Sequence, residues 1–264
     1  MGNMVDANLE VCRTLAAQHG LPLQFVVKEF YVFDVLGQIA TLTAPAKNLV
    51  FKGGTALNKV YLGKLQRFSE DLDFDLDGES MAETRSYCER LAKGLVGYKI
   101  SDLRKVRNTI QFECEYENLL GGTNHVRVDV AAKRIITEKP PLIKPAVSDY
   151  TGRYVTGFYV YSMEDLVARK MNALRDRCEG KDIYDVYSAL PLCGKMEAAI
   201  SKMLISEKSR DSFTEFVQKT LERLRTADHK KLRNLTNPFI PVGNRPKDWL
   251  ELKNDLVMRL ERLQ

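Results

Sequence analysis

Arg67-Phe-Ser-Glu-Asp-Leu-Asp-Phe-Asp-Leu-Asp77 is the stretch that decides how this chain reads. From Asp71 onward, acidic and apolar residues alternate with period two. In a β-strand that sends Asp71, Asp73, Asp75 and Asp77 to one face and Leu72, Phe74 and Leu76 to the other. Carboxylates about 7 Å apart repel by roughly 2 kcal/mol per neighbouring pair at an effective dielectric of about 20. Asp is also a poor strand former. Packing alone gains nothing from such a row, whereas a strand that offers oxygen ligands to divalent cations gains a great deal. The run reads as a metal site.

Immediately upstream, Asn48-Leu-Val-Phe-Lys52 is short and apolar, a buried strand, and Gly53-Gly54-Thr55 leads from it into a helical stretch over 56–65. Two glycines allow a tight bend and close approach to a phosphate, and a following helix offers free N–H groups. Such a turn fits many folds. Its weight comes from the aspartates one helix later, because two carboxylates two residues apart can bridge cations about 4 Å apart, as in two-metal phosphoryl transfer. Lys52, Arg67 and Ser69 are nearby phosphate partners, with Lys52 and Lys59 also readable as solvated side chains.

Downstream, residues 109–116 and 125–130 alternate as strands around the turn-forming segment 117–124, an antiparallel hairpin. Asp129 stands on the polar side of the second strand as a third carboxylate, or as a simple neighbour of Arg127. Residues 139–145 carry three prolines and read as a surface crossing. Before the aspartates, residues 22–40 place apolar side chains at helical spacing, with Pro45 as the break.

After Ser162 the character turns helical. Ser162 with Asp165 forms a capping pair for a helix to about Arg177, Gly180 separates it from a helix over 182–190, residues 195–224 continue helical, and residues 246–263 close the chain with an apolar stripe that packs as core or meets a partner. Lys170 projects from the apolar face formed by Leu166, Val167, Ala173 and Leu174, so it either snorkels or reaches into a cleft. Asp182 suits a helix N-cap, and Asp185 has no such structural use. Strands followed by helices predict an α+β fold: a half over residues 1–160 and a helical half over 161–264 that completes the cleft.

The chain has 264 residues, 44% hydrophobic and 28% charged, enough for a sizeable core and unlike a disordered chain. Net charge of +5 is compatible with an anionic partner. Five cysteines without CxxC spacing read as reduced thiols. The apolar region 21–42 is interrupted by Lys28, Glu29 and Asp34, and no basic start precedes an apolar core, so the expected setting is the cytoplasm with no membrane contact. Met1-Gly2 opens like an acylation signal, but Asp6 stands where Ser or Thr is needed.

Phe-Lys-Gly-Gly-Thr-Ala-Leu (51–57), Arg-Phe-Ser-Glu-Asp-Leu-Asp-Phe (67–74), Val-Asp-Val (128–130), Glu-Asp-Leu-Val-Ala-Arg-Lys-Met-Asn-Ala-Leu (164–174) and Lys-Asp-Ile-Tyr-Asp-Val-Tyr (181–187) together resemble the AbiEii/AbiGii nucleotidyltransferase toxins, which include the MenT-type toxins. The match runs in order over roughly residues 20–190. It implies a DNA polymerase β-like nucleotidyltransferase fold, a mixed sheet with flanking helices, plus a helical C-terminal domain. It also implies Asp71 and Asp73 as paired Mg²⁺ ligands, with Asp129 added by position. Lys52, Gly53, Gly54, Thr55, Arg67 and Ser69 would lie around an NTP, Lys170 would meet its phosphates, and Asp182 or Asp185 would complete the catalytic set. The expected activity is transfer of a nucleoside monophosphate to an RNA acceptor, a tRNA 3′ end, which would block translation. The alternatives are transfer to a protein side chain or small-molecule hydroxyl, or a non-catalytic nucleotide- or RNA-binding module. A cognate antitoxin is the implied protein partner, neutralising either by binding or by phosphorylating Ser69, since in similar toxins the matching serine can be phosphorylated by the antitoxin. The basic run His229-Lys-Lys-Leu-Arg233 either guides a phosphate backbone or is a solvated helix end.

Overall fold

Strand, glycine turn, helix and aspartate strand follow one another from Leu49 as expected, in a computed structural model that describes residues 5, 7–43, 48–78 and 80–263. Met1, Gly2, Asp6 and the helix break expected at Pro45 lie outside the described residues. The first half contains α1 (Leu9–His19), α2 (Leu23–Thr43), β1 (Leu49–Lys52), α3 (Gly53–Leu57), β2 (Leu72–Leu76), α4 (Met81–Gly94), β3 (Lys99–Ile100), β4 (Arg104–Val106), β5 (Thr109–Glu117) and β6 (Thr123–Ala132). Four short strands follow: β7 (Leu142–Ile143), β8 (Ala146–Val147), β9 (Tyr154–Val155) and β10 (Tyr159–Val160). The rest is helical: α5 (Met163–Asp176), α6 (Gly180–Ala189), α7 (Glu197–Ser206), α8 (Phe213–Arg225), α9 (His229–Thr236) and α10 (Trp249–Glu261).

The main sheet is mixed, in the order β3-β5-β6-β2-β1-β10-β7, with β4 also paired to β5. Around its centre β2 runs antiparallel to β1 and parallel to β6. Leu72, Phe74 and Leu76 bury one face of β2, at roughly 2 kcal/mol or more per side chain. α2 and α4 contact β6 and each other, and α5 meets α3, α6, α7 and α8. The buried apolar cluster is continuous from Cys12 on α1 to Leu260 on α10.

Several local expectations need correction. The helix after β1 starts at Gly53, not Ala56, and passes into a π-helical turn (Asn58–Leu62) and a 3₁₀ turn (Gly63–Leu65). α2 is buried on nearly every side, Lys28 and Glu29 included, so it is a central helix with no exposed face. Lys59, a candidate for solvation, is fully buried and paired with Glu29. The surface crossing contains β7, an exposed edge strand paired with β10. The run 195–224 splits into α7 and α8, and Ser212 and Glu215 form a reciprocal capping box at the second start. Asp182 is no N-cap: α6 begins at Gly180. The stripe on α10 (Trp249, Leu252, Leu256 and Leu260) is core.

Candidate active site

Strand register sets out the site. Lys52 pairs across β1–β2 with Asp73, Asp73 pairs across β2–β6 with Asp129, and Asp129 pairs across β6–β5 with Gln111. Four polar side chains therefore cross the sheet in one row, and Asp71 lies two residues from Asp73 on the same face. Lys52, Asp71, Asp73 and Asp129 line one cleft of about 530 Å³ together with Gly53, Gly54, Arg67, Ser69, Arg127 and Lys170, while Gln111 lies outside it.

The two glycines are required by what surrounds them. At Gly53, φ is +77°, and a Cβ there would lie 2.2 Å from Asp73 Oδ2. A Cβ on Gly54 would meet Arg67 Nη2 at 2.8 Å, Ser69 Oγ at 3.2 Å and Lys170 Nζ at 3.3 Å. Bare backbone thus faces two cations and a hydroxyl, an arrangement suited to phosphate oxygens. Thr55 is buried behind this surface; its hydroxyl bonds Ser69 Oγ at 2.9 Å and the Asp71 carbonyl at 2.5 Å. It positions Ser69 and does not itself line the cleft.

The sheet carboxylates are only partly compensated. Burial, together with the Asp129 and Asp71 charges, lifts the Asp73 carboxyl to about 6 against the pull of Lys52 and Lys170. Burial also raises Asp71, opposed by Arg127, whose Nη2 lies 2.5 Å from Asp71 Oδ2. Asp129 accepts from Gln111 Nε2 at 2.8 Å and has Arg127 Nε at 3.7 Å. Asp75 differs, although it belongs to the same alternating row. It is fully buried, bonded to Lys52 Nζ at 2.5 Å and the Tyr161 hydroxyl at 2.7 Å. Burial opposes its ionisation, but Lys52, Lys133 and Arg169 outweigh that and hold it below the usual carboxylate range. It anchors Lys52. Asp77 follows the strand and accepts the Ile135 amide at 3.0 Å.

α5 and α6 supply the opposite wall. Lys170 resolves toward the cleft: its Nζ lies 3.1 Å from Asp182 Oδ1 and 3.0 Å from Asp185 Oδ2. Asp185 also receives Arg67 through Nε (2.9 Å) and Nη2 (2.6 Å) and Asn58 Nδ2 at 3.0 Å. Asp182 is gripped by Arg177 through Nε (2.8 Å) and Nη2 (3.0 Å). Despite burial, the Arg177 and Lys170 contacts pull the Asp182 carboxyl down to about 2, and Arg67 and Lys170 likewise depress Asp185. Both aspartates sit behind the cations and outside the cleft lining, where they orient Arg67, Lys170 and Arg177.

Asn58, Arg177 and Lys181 were not singled out from the sequence. Asn58 donates to the Gly54 carbonyl at 2.9 Å and accepts the Arg67 amide at 2.8 Å, tying the glycine turn to the approach to β2. A polar residue one helical turn after Gly54 was the available signal.

Asp71, Asp73 and Asp129 offer hard oxygen donors on one strip of the cleft, the donor chemistry a divalent cation takes. Asp71 is held by Arg127 and Asp129 by Gln111, and among the described residues no three acidic, His or Cys side chains are gathered into a metal-binding cluster. A bound cation would draw Asp71 away from Arg127.

The sequence model for the AbiEii nucleotidyl transferase toxin of type IV toxin–antitoxin systems matches residues 34–261. The chain belongs to this family. The match extends past the blocks around 20–190 through most of the C-terminal helices. The fold of this AbiEii chain is similar to that of the MenT4 nucleotidyltransferase toxin of Mycobacterium tuberculosis H37Rv, at TM-score 0.68 and 18% identity, covering 97% of this chain and 89% of that one. It is also similar to JHP933 from Helicobacter pylori, at TM-score 0.56 and 17% identity over 92% and 93% of the two chains. A putative nucleotidyltransferase from H. pylori follows, at TM-score 0.52 and 15% identity over 88% and 93%. No curated protein sequence gives a match. The mixed sheet with flanking helices and a helical C-terminal region is therefore the nucleotidyltransferase toxin fold, and a toxin of this class has an antitoxin as its partner. No helix among the described residues is long and apolar enough to cross a membrane.

Proposed function

We propose that this AbiEii-family chain transfers a nucleoside monophosphate from an NTP to an RNA acceptor, a tRNA 3′ end, and so blocks translation. The observation that carries this reading is the meeting, in one cleft, of the Asp71–Asp73–Asp129 strip with glycine backbone ringed by Arg67, Ser69 and Lys170. Asp71 and Asp73, with Asp129 beside them, are the residues that would hold Mg²⁺, which when bound supplies Lewis-acid polarisation and charge neutralisation at the reacting phosphate.

The remaining roles belong to the chain. Gly53 and Gly54 leave room for the β- and γ-phosphates. As the acceptor oxygen bonds to the α-phosphorus and the bond to pyrophosphate breaks, Arg67 and Lys170 take up charge on the leaving group. Asp182 and Asp185 fix those cations in advance, so little reorganisation is needed. Asp129 accepts the proton of the attacking hydroxyl. Residues 1–160 thus carry the metal and phosphate surfaces, and residues 161–264 close the cleft with Lys170. A phosphate on Ser69 would place its negative charge against the triphosphate surface, which would make that hydroxyl a point of control for the antitoxin.

Purified protein incubated with Mg²⁺, α-labelled NTPs and total tRNA tests the reading. Label enters RNA with wild type and not with Asp71→Asn. Label in a protein band or small molecule would move the acceptor; Mg–NTP binding without turnover on any acceptor would make the chain a binding module.

A further inference from the structure

A second cavity, of about 560 Å³, opens beside the catalytic cleft between the α5–α6 turn, the end of α8 and α9. The two share Arg177, Glu179, Lys181 and Phe239 as common wall, so ligands on the two sides would touch the same side chains. Its far side brings Arg223 and Lys231, the latter from the basic run at the start of α9. Four basic side chains therefore line it against two acidic ones, Glu179 and Asp228. Asp228 is already engaged as the α9 N-cap, accepting from the Lys230 and Lys231 amides.

Lys181 is the informative residue. It lines both cavities, is partly buried and, among the described residues, makes no ion pair; its Nζ sits 3.4 Å from the centre of the Phe239 ring. Burial and neighbouring Arg67 push its amine below the usual lysine range. Glu70, Asp71 and Glu179 offset this only in part and none is at ion-pair distance, so a partly buried cation beside a second cation favours an anion on the shared wall. Leu232, Leu235 and Phe239 give the cavity an apolar side, Leu232 buried and Leu235 exposed at its edge, and its size falls within the range of small-ligand sites. The Phe239 ring is covered by Lys181 on one face and stacked on Phe25 at 4.9 Å on the other, so it braces Lys181 and is not a stacking platform. Basic side chains beside the apolar Leu232 and Leu235 match an unpaired nucleotide, phosphate on the cations and base against the leucines.

We infer that this cavity is a second nucleotide subsite and receives an unpaired nucleotide of the RNA acceptor, with its backbone phosphate between Lys181, Arg223 and Lys231. The assignment rests on the RNA-acceptor reading above and adds where the strand lies. The triphosphate already has its own partners at Gly54, Arg67, Ser69 and Lys170, so a nucleotide at Lys181 and beyond is an additional one.

The test is binding of a fluorescent single-stranded RNA ending in an unpaired 3′ nucleotide, followed by anisotropy across a salt series. It compares wild type with the double charge reversal Arg223→Glu/Lys231→Glu, both exposed positions. The same proteins are titrated calorimetrically with Mg²⁺ and a non-hydrolysable NTP analogue. The expected result is RNA binding weakened at least tenfold with a shallower salt dependence, and analogue affinity within twofold of wild type. A 4-thiouridine at the RNA end should crosslink within residues 223–239. RNA binding unchanged by the reversal overturns the subsite, whatever the chain's catalytic activity. Loss of analogue affinity instead overturns the acceptor assignment and gives the cavity to the NTP's own nucleoside. If wild type binds RNA through this cavity yet labels only protein or small molecules, the reaction proposed above fails while the subsite stands.

Discussion

Two groups of aspartates face each other across the cleft, and the same side chain is used in opposite ways. On α6, Asp182 and Asp185 each hold two cations at hydrogen-bond distance and are ionised more readily than a free carboxyl. On the sheet, Asp71 has one partly exposed guanidinium and Asp73 has no direct ion pair among the described residues, and both are harder to ionise. Charge that is paid back inside the protein builds a scaffold; charge left unpaired waits for a ligand.

The widest break in this symmetry comes from neutralising Asp73. Asp73→Asn lowers nucleotidyl transfer at least about 10³-fold if the sheet carboxylates hold the metal, yet stabilises the metal-free protein at pH 7 by roughly 1–2 kcal/mol, because a half-buried charge without a direct counter-ion is lost. Label transfer and urea unfolding measure the two effects. Asp185→Ala does the reverse to the fold: Arg67 and Lys170 are left buried without their shared counter-ion, and unfolding free energy falls by about 3–5 kcal/mol.

Proton linkage separates the groups next. The Asp182 carboxyl stands at about 2 when folded, against about 3.9 unfolded. Its contribution, on the order of 2 kcal/mol, is present above pH ~4 and lost as pH falls through ~2. Asp73, raised to about 6, behaves oppositely in the metal-free protein: its contribution is complete below pH ~4 and lost as pH rises through ~6. Urea melts of wild type, Asp182→Asn and Asp73→Asn between pH 3 and 7.5 show the acid-side slope reduced in the first variant and the slope between pH ~4 and ~6 removed in the second. The smallest effect belongs to Arg127. Arg127→Gln frees Asp71 and tightens Mn²⁺ binding in the absence of nucleotide about fivefold by calorimetry; an unchanged affinity would mean the ion pair does not compete for the metal.

The sheet group was legible in the sequence because alternation from Asp71 to Asp77 is a local signal, and the Gly-Gly turn and Lys170's place on its helix are local too. Which carboxylates meet was less accessible. The Lys52–Asp73–Asp129 row depends on strand order and register, which no window of a few residues contains. Asp75 shares the pattern of Asp73 and only its distant partners Lys52 and Tyr161 distinguish it. The α6 group stayed ambiguous for the same reason: Arg67 and Asp185 are 118 positions apart. Burial of Lys59 with Glu29 is likewise a tertiary fact. The break between α7 and α8 was missed although its signal, the Ser212–Glu215 capping box, is local, because helical composition on both sides conceals it.

Crystals grown with Mn²⁺ and a non-hydrolysable NTP analogue put the central claim to its most direct test. Anomalous density should lie at bonding distance from Asp71 and Asp73, with the analogue's β- and γ-phosphates against Gly54, Arg67 and Lys170. Metal bound elsewhere, or an analogue seated away from the glycine turn while Asp71 remains on Arg127, would contradict it.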